Sequence, residues 1–176
     1  MSNPTPPSPS GPPPSGRPVS ERVSERPGGE RFTREELLAA PGPGFRYQTA
    51  VRFQDIDAAG IIFFPRVLEH CHDGLVQFMA QTGCDLPTAL RTRAFAAPLA
   101  HAEADYLRPL RFGDPLTVVL CAARCSDTRA TLGFRVLGAD DAVAALAQLV
   151  HVFIDPQSAR RVPIPPALRA AFDALA

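Results

Sequence analysis

A single long amphipathic helix, set among strand-like runs, constrains this chain more than any other feature. Phe64, Leu68, Cys71, Leu75, Phe78 and Thr82 recur at spacings of 4, 3, 4, 3 and 4, the stripe of a helix with one apolar face. The helix is expected from Pro65 to about Thr82, ended by Gly83. Val67, Val76 and Met79 widen the stripe, so burial on more than one side is expected. Residues 45–54 read as a strand before it, with Val51 and Phe53 alternating with Arg52 and Gln54. After a short helical piece at Leu86–Thr92 the pattern becomes strand-like. Leu99, His101, Glu103 and Asp105 alternate with small residues and Tyr106. Long apolar runs follow at Leu116–Cys125, Arg129–Leu137 and Ala142–Ile154, separated by turn signals such as Gly113-Asp114-Pro115 and Gly138-Ala-Asp-Asp141. A short helix is expected at Pro166–Ala176. One apolar helix with successive strands predicts an α+β domain whose antiparallel sheet packs on that helix. Its free edges suit contacts between copies.

Residues 1–44 differ in kind. They hold eleven of the twenty prolines, mixed with Ser, Gly, Arg and Glu, too little apolar surface to offset the entropy of ordering. They are expected to be a disordered Pro-rich tail, with residues 45–176 forming the folded domain. Thr33-Arg-Glu-Glu36 is a capping-box pattern for one or two helical turns inside that tail. Lys+Arg and Asp+Glu are both 18, so charge gives no sign of a nucleic-acid partner. No apolar run is long enough for a membrane span. Cys71, Cys84, Cys121 and Cys125 form no metal-binding spacing, and no metal is expected. They read as reduced structural thiols, consistent with a cytoplasmic location.

The stretch Val51-Arg-Phe-Gln-Asp55-Ile-Asp57-Ala-Ala-Gly60-Ile-Ile-Phe-Phe64-Pro65 carries the chemistry. Two carboxylates precede the start of the helix, whose free N–H groups attract developing negative charge. Pro65 suits the first helical position. Gly60 permits a backbone conformation other residues avoid, and a close approach by a ligand. A carboxylate that attacks or activates water, opposite N–H groups that hold an oxyanion, is a plan for acyl transfer.

Those fifteen residues resemble the signature of hotdog-fold acyl-CoA thioesterases of the 4-hydroxybenzoyl-CoA thioesterase type. Tyr106-Leu-Arg-Pro-Leu-Arg-Phe-Gly-Asp114 is similar to that family's second landmark, and the resemblance spans about residues 46–172. Ala58-Ala59-Gly60, Val67-Leu68, Cys71-His72 and Pro98-Leu-Ala-His101 look most like the branch that hydrolyses 1,4-dihydroxy-2-naphthoyl-CoA in quinone biosynthesis. The resemblance implies a five-stranded antiparallel sheet wrapped around one long central helix. It also implies homodimers, often paired into homotetramers, with sites between chains. It makes Asp57 the catalytic carboxylate and the Phe64 backbone amide the group that polarises the thioester carbonyl. Acyl-CoA is then the substrate and no cofactor is required.

Asp55 is expected to serve hydrogen bonding rather than chemistry. Glu69 and Asp73, four apart on the helix, are fallback bases. His72 and His101 are candidates to touch the acyl group, Phe63 to line its pocket, and Arg129 to meet the phosphates of CoA, with Arg124, Arg160 and Arg161 as further basic candidates. His70 is expected to be exposed, and His151 to face solvent or an interface. Substrates such as 4-hydroxybenzoyl-CoA or a short- or medium-chain acyl-CoA fit the same reading. A rival is a hotdog dehydratase, against which Phe63-Phe64-Pro65 stands where a His-Phe-Pro would be needed. A non-catalytic acyl-CoA-binding module and a scaffold acting through the Pro-rich tail are the others.

Overall fold

The computed structural model describes residues 31–175. Five strands are formed: β1 (Phe45–Ala50), β2 (Leu99–Tyr106), β3 (Pro115–Cys125), β4 (Arg129–Leu137) and β5 (Val143–Val152). They make one antiparallel sheet in the order β1-β3-β4-β5-β2. The helices are α1 (Arg34–Ala39), α2 (Phe64–Gln81), α3 (Leu86–Thr92) and α4 (Pro166–Asp173). This is the expected α+β hotdog arrangement, with the sheet wrapped around α2.

Helix α2 buries Val67, Cys71, Gly74, Leu75, Phe78 and Met79 against one face of the sheet, and His70 against Asp55. The stripe is therefore centred on Cys71, Leu75 and Phe78, while Phe64 lies outside it at 62% exposure. The helix crosses the sheet most closely at Gly74, where an added Cβ would stand 2.9 Å from the Val118 side chain. The three long strands lack alternation because both of their faces are covered. Val118, Leu120, Leu132, Phe134 and Leu149 meet α2, and Val119, Cys121 and Leu146 belong to a second cluster on the outer face.

The outer cluster corrects the expected domain boundary. Residues 1–30 of the expected tail lie outside the described residues, but residues 31–40 pack on the sheet. Thr33 and Glu36 form the capping box, with Thr33 N–H donating to Glu36 at 2.7 Å and Glu36 N–H to Thr33 Oγ1 at 3.2 Å. Leu37, 3% exposed, inserts into the outer cluster. Phe32 is held through both backbone groups by the Gln148 side chain, at 3.0 and 2.8 Å. Arg124 stacks over the Phe32 ring and donates to the Arg31 carbonyl and to Glu36. It is thus committed to this segment rather than available to CoA. Proline-rich surroundings hid ten residues with a clear apolar anchor.

The strand expected over residues 45–54 ends at Ala50. Residues Phe53–Asp55 instead form one 3₁₀ turn, and Phe53 is 79% exposed. The cause is Asp55, whose side chain is fully buried. Its Oδ2 accepts from the Arg52 backbone N–H (2.8 Å), Arg52 Nε (3.1 Å) and His70 Nε2 (3.0 Å), and its Oδ1 accepts from Arg52 Nη2 (3.1 Å). Asp55 therefore has the structural role expected of it. His70, expected to be exposed, is 1% exposed because it meets this carboxylate. Burial alone would push the Asp55 carboxyl up; the Arg52 and His70 hydrogen bonds outweigh it and hold the group below its ordinary range.

Two outcomes follow from this packing. Leu37→Ala is expected to cost about 3 kcal/mol by urea unfolding, because a buried leucine leaves a cavity on the sheet. A depressed carboxyl stabilises the fold above its unfolded pKa and loses that contribution as pH falls through the lowered value. Wild type is therefore expected to lose stability below about pH 4. Asp55→Asn should be less stable by about 3 kcal/mol at neutral pH, with a flatter acid limb in urea titrations repeated across pH.

Candidate active site

The loop between Asp55 and α2 is closed from both ends. The Asp55 carbonyl accepts the Phe63 N–H at 2.7 Å, and Ile56 bridges to Ile62. Inside it, the Asp57 N–H donates to the Ile61 carbonyl and the Gly60 N–H to the Asp57 carbonyl, both at 3.0 Å. Asp57 Oδ1 accepts the Ala59 N–H at 2.8 Å, which fixes the carboxylate on a half-exposed turn. Gly60 has φ +74°, the left-handed region this turn needs, and open space around it. Among the described residues nothing lies within 4 Å of a Cβ built there.

Helix α2 starts immediately beyond. Phe63 supplies no side-chain cap, and the first turn holds no acidic residue. The positive end of the helix is therefore left without a carboxylate in its own first turn. Its leading N–H groups can be accounted for in turn. Phe63 donates to Asp55, Arg66 donates to Phe63 at 2.8 Å, and Pro65, the second helical residue, has no N–H. Among the described residues the Phe64 N–H alone in this group meets no acceptor. Tyr106, at the end of β2, donates its hydroxyl to the Phe64 carbonyl at 2.7 Å and ties the helix start to the sheet edge.

Phe64 thus opens the helix, and Asp57, Gly60 and Phe63 lie on the segment before α2. A groove of about 550 Å³ runs beside it along α2, lined by Arg52, Arg66, Leu68, Glu69, His72 and Asp73, with Leu99 and Leu149 of the sheet. Arg52 and Arg66 are basic residues at this groove that the sequence reading did not single out; both belong to local ion pairs, with Asp55 and Glu69. His72, a candidate to touch the acyl group, lines the groove. His101 does not. A bulge between Leu99 and His101 turns the strand, so Leu99 faces the groove while His101 binds Glu103 (2.8 Å) and Arg31 (3.2 Å) beside the N-terminal segment. Arg129 opens β4 opposite Val152, one position from the pair Ala130–His151, and is not part of the groove.

His151 corrects a second expectation. It is 4% exposed, not solvent-facing, and lines an apolar cavity beyond His72. No periodicity reveals this, because its hydrogen-bond partner, the Ala97 carbonyl, lies 54 residues away.

An exposed aromatic surface surrounds the loop. Phe53 and Phe112 pack edge to face at 6.0 Å, as do Phe63 and Phe64 at 5.0 Å. Both strand edges, β1 and β2, are open, and β2 runs next to this surface.

Comparison with known proteins agrees with the geometry. Residues 51–172 match the family model described as the thioesterase-like superfamily. The 1,4-dihydroxy-2-naphthoyl-CoA hydrolase of Rippkaea orientalis is 32% identical over 120 residues, covering 67% of this chain and 87% of that protein. The protein of the same description from Thermosynechococcus vestitus is 33% identical over 130 residues, covering 74% and 89%. Among solved structures, Slr0204, a 1,4-dihydroxy-2-naphthoyl-CoA thioesterase from Synechocystis, superposes with a TM-score of 0.70 at 29% identity, covering 74% of this chain and 96% of that one. With the matched region running from the strand end before Asp55 to α4, the chain belongs to the thioesterase-like superfamily.

Proposed function

We propose that this protein hydrolyses an aromatic acyl-CoA thioester, 1,4-dihydroxy-2-naphthoyl-CoA being the substrate its relatives favour, to the free acid and CoA. The observation that carries this reading is the Phe64 N–H at the mouth of α2, which meets no acceptor among the described residues and follows the Asp57 turn in sequence. The Phe64 N–H and the helix dipole stabilise the carbonyl oxygen as it gains charge; losing one such donor commonly costs about 100-fold or more in rate. Asp57 either attacks the carbonyl carbon, expelling the CoA thiolate to leave a mixed anhydride that water opens, or removes a proton from the attacking water. Both routes consume one water, and neither needs a cofactor or metal.

A second copy of the chain completes the site in this reading. Asp57 does not line the groove of its own chain, and the aromatic rings around it stand exposed. A homodimer formed across this surface and the β2 edge would enclose them; pairing of dimers into a homotetramer is the further step. Arg52 and Arg66 at the groove are better placed than Arg129 to meet CoA phosphates. The proposed compartment is the cytoplasm, consistent with four free cysteines. No helix among the described residues is long and apolar enough to cross a membrane.

The test is thiol release from naphthoyl-, hydroxybenzoyl-, phenylacetyl- and straight-chain acyl-CoA. Asp57→Asn is expected to lose nearly all turnover, about 100-fold or more, with an unchanged unfolding transition. Glu69→Gln is expected to change turnover by less than about threefold, since its carboxylate is spent on Arg66. The reverse pattern would move the chemistry to the helix. A monomer by light scattering at assay concentration, still fully active, would remove the second copy from the site.

A further inference from the structure

Between the C-terminal half of α2, α3, β4–β5 and α4 lies a cavity of about 420 Å³. That is within the usual range for small-molecule pockets. Leu75, Val76, Met79 and Phe172 are among its walls, and no Lys, Arg, Asp or Glu lines it. His72 and His151 are its two polar side chains. Leu90, another wall residue, is 63% exposed, so the cavity reaches the surface beside α3. None of Asp57, Gly60, Phe63 or Phe64 lines it. The wall residue of α2 nearest the helix start is His72, about 12 Å along the axis from Phe64. The cavity is therefore a space apart from the proposed thioester site.

His151, on β5, sets what the cavity can hold. Its Nδ1 stands 2.8 Å from the Ala97 carbonyl, which can only accept, so Nδ1 carries the proton. Burial, opposed by that hydrogen bond and aided by His72, lowers the His151 pKa, and the ring is neutral. Nε2 is then a lone-pair acceptor. It is buried and meets no hydrogen-bond partner among the described residues. The His72 ring lies 5.8 Å away, centroid to centroid. Of the two nitrogens, Nε2 is the one left for a guest, and leaving such an acceptor unpaired is costly.

The chemistry of the walls excludes most guests. A buried water needs about two to four polar partners, and the two imidazoles are the only polar side chains offered. A carboxylate has no proton to give and would set a charge among aliphatic side chains; an ammonium would set one there too. A pure hydrocarbon fills the space and leaves Nε2 bare. A neutral molecule with a hydroxyl at one end of an apolar body meets every condition. Met79 among leucine, valine and phenylalanine makes an adaptable wall, which suits a flexible chain.

We propose that this cavity is a second ligand site, separate from the thioester groove, which takes a neutral aliphatic alcohol and holds its hydroxyl as a donor to His151 Nε2.

Calorimetry on the whole chain compares 1-octanol with 1-methoxyheptane, its isomer without an O–H. Wild type is expected to bind the alcohol about fivefold or more tighter than the ether. Its affinity should rise about fourfold per methylene from 1-hexanol to 1-octanol. His151→Phe keeps a ring, removes the acceptor and should bring the two isomers level. Val76→Phe fills the space and should weaken both by about tenfold. Saturating CoA should leave the octanol affinity unchanged. No binding of either isomer, equal affinities in wild type, or an alcohol preference that survives in folded His151→Phe overturns the proposal. Competition between 1-octanol and CoA overturns it too, by placing the alcohol in the groove. If His151→Phe does not fold, the wild-type isomer ratio and Val76→Phe decide the site. None of these measurements uses turnover, so the alcohol site and the thioesterase reading stand or fall separately.

Discussion

The Asp55 carboxylate is the pin through which the functional end of the molecule is assembled. It takes four hydrogen bonds, three from Arg52 and one from His70, in a place no water reaches. Removing a charge from water is costly unless its lone pairs are met, and here all of the compensation comes from two residues on different elements. Arg52 closes the turn at the end of β1, and His70 sits on the second turn of α2. The same residue's carbonyl takes the Phe63 N–H. One side chain and one carbonyl therefore set where α2 begins relative to the loop that carries Asp57.

That setting explains why the Phe64 N–H is left over. A helix start normally recruits a serine, threonine or aspartate to cap its free amides. This one has phenylalanine at the cap, proline at the second position, and backbone acceptors for its neighbours. The result is a helix end with one donor unspent and no carboxylate of its own to cancel the dipole. Tyr106 holds the adjoining carbonyl, so the donor's position is shared between the sheet edge and the loop.

Much of the fold could be read from the chain because its periodicities are clean. Arg129–Leu137 and Leu86–Thr92 have the expected bounds, each set off by turn residues. Cys71, Leu75 and Phe78 lie on the buried face as their spacing required. The failures turn on contacts that no periodicity encodes. Val51–Gln54 alternates like a strand, yet Asp55 wraps Arg52 into a turn. His70 and His151 are polar residues on buried surfaces, and only Asp55 and the Ala97 carbonyl make those places tolerable. His101 is a candidate through the Pro98-Leu-Ala-His101 resemblance, and one bulge turns it away from the groove. Leu37 was discounted because prolines surround it, although a single leucine on a capped turn is enough to dock. Asp57, Gly60, Phe63 and Phe64 are legible only through their motif; the first three lie in the segment before α2 and Phe64 opens that helix.

The docked N-terminal turn has a bearing on how copies of this protein can meet. Part of the sheet's outward surface is already roofed by the chain itself, and the roof presents Arg34 and Glu35 to solvent. A neighbour arriving from that direction encounters charge rather than bare aliphatic surface. Oily rings are left uncovered at the other end, around the loop that bears the carboxylate. In the proposed dimer this difference favours association at the end that bears the carboxylate.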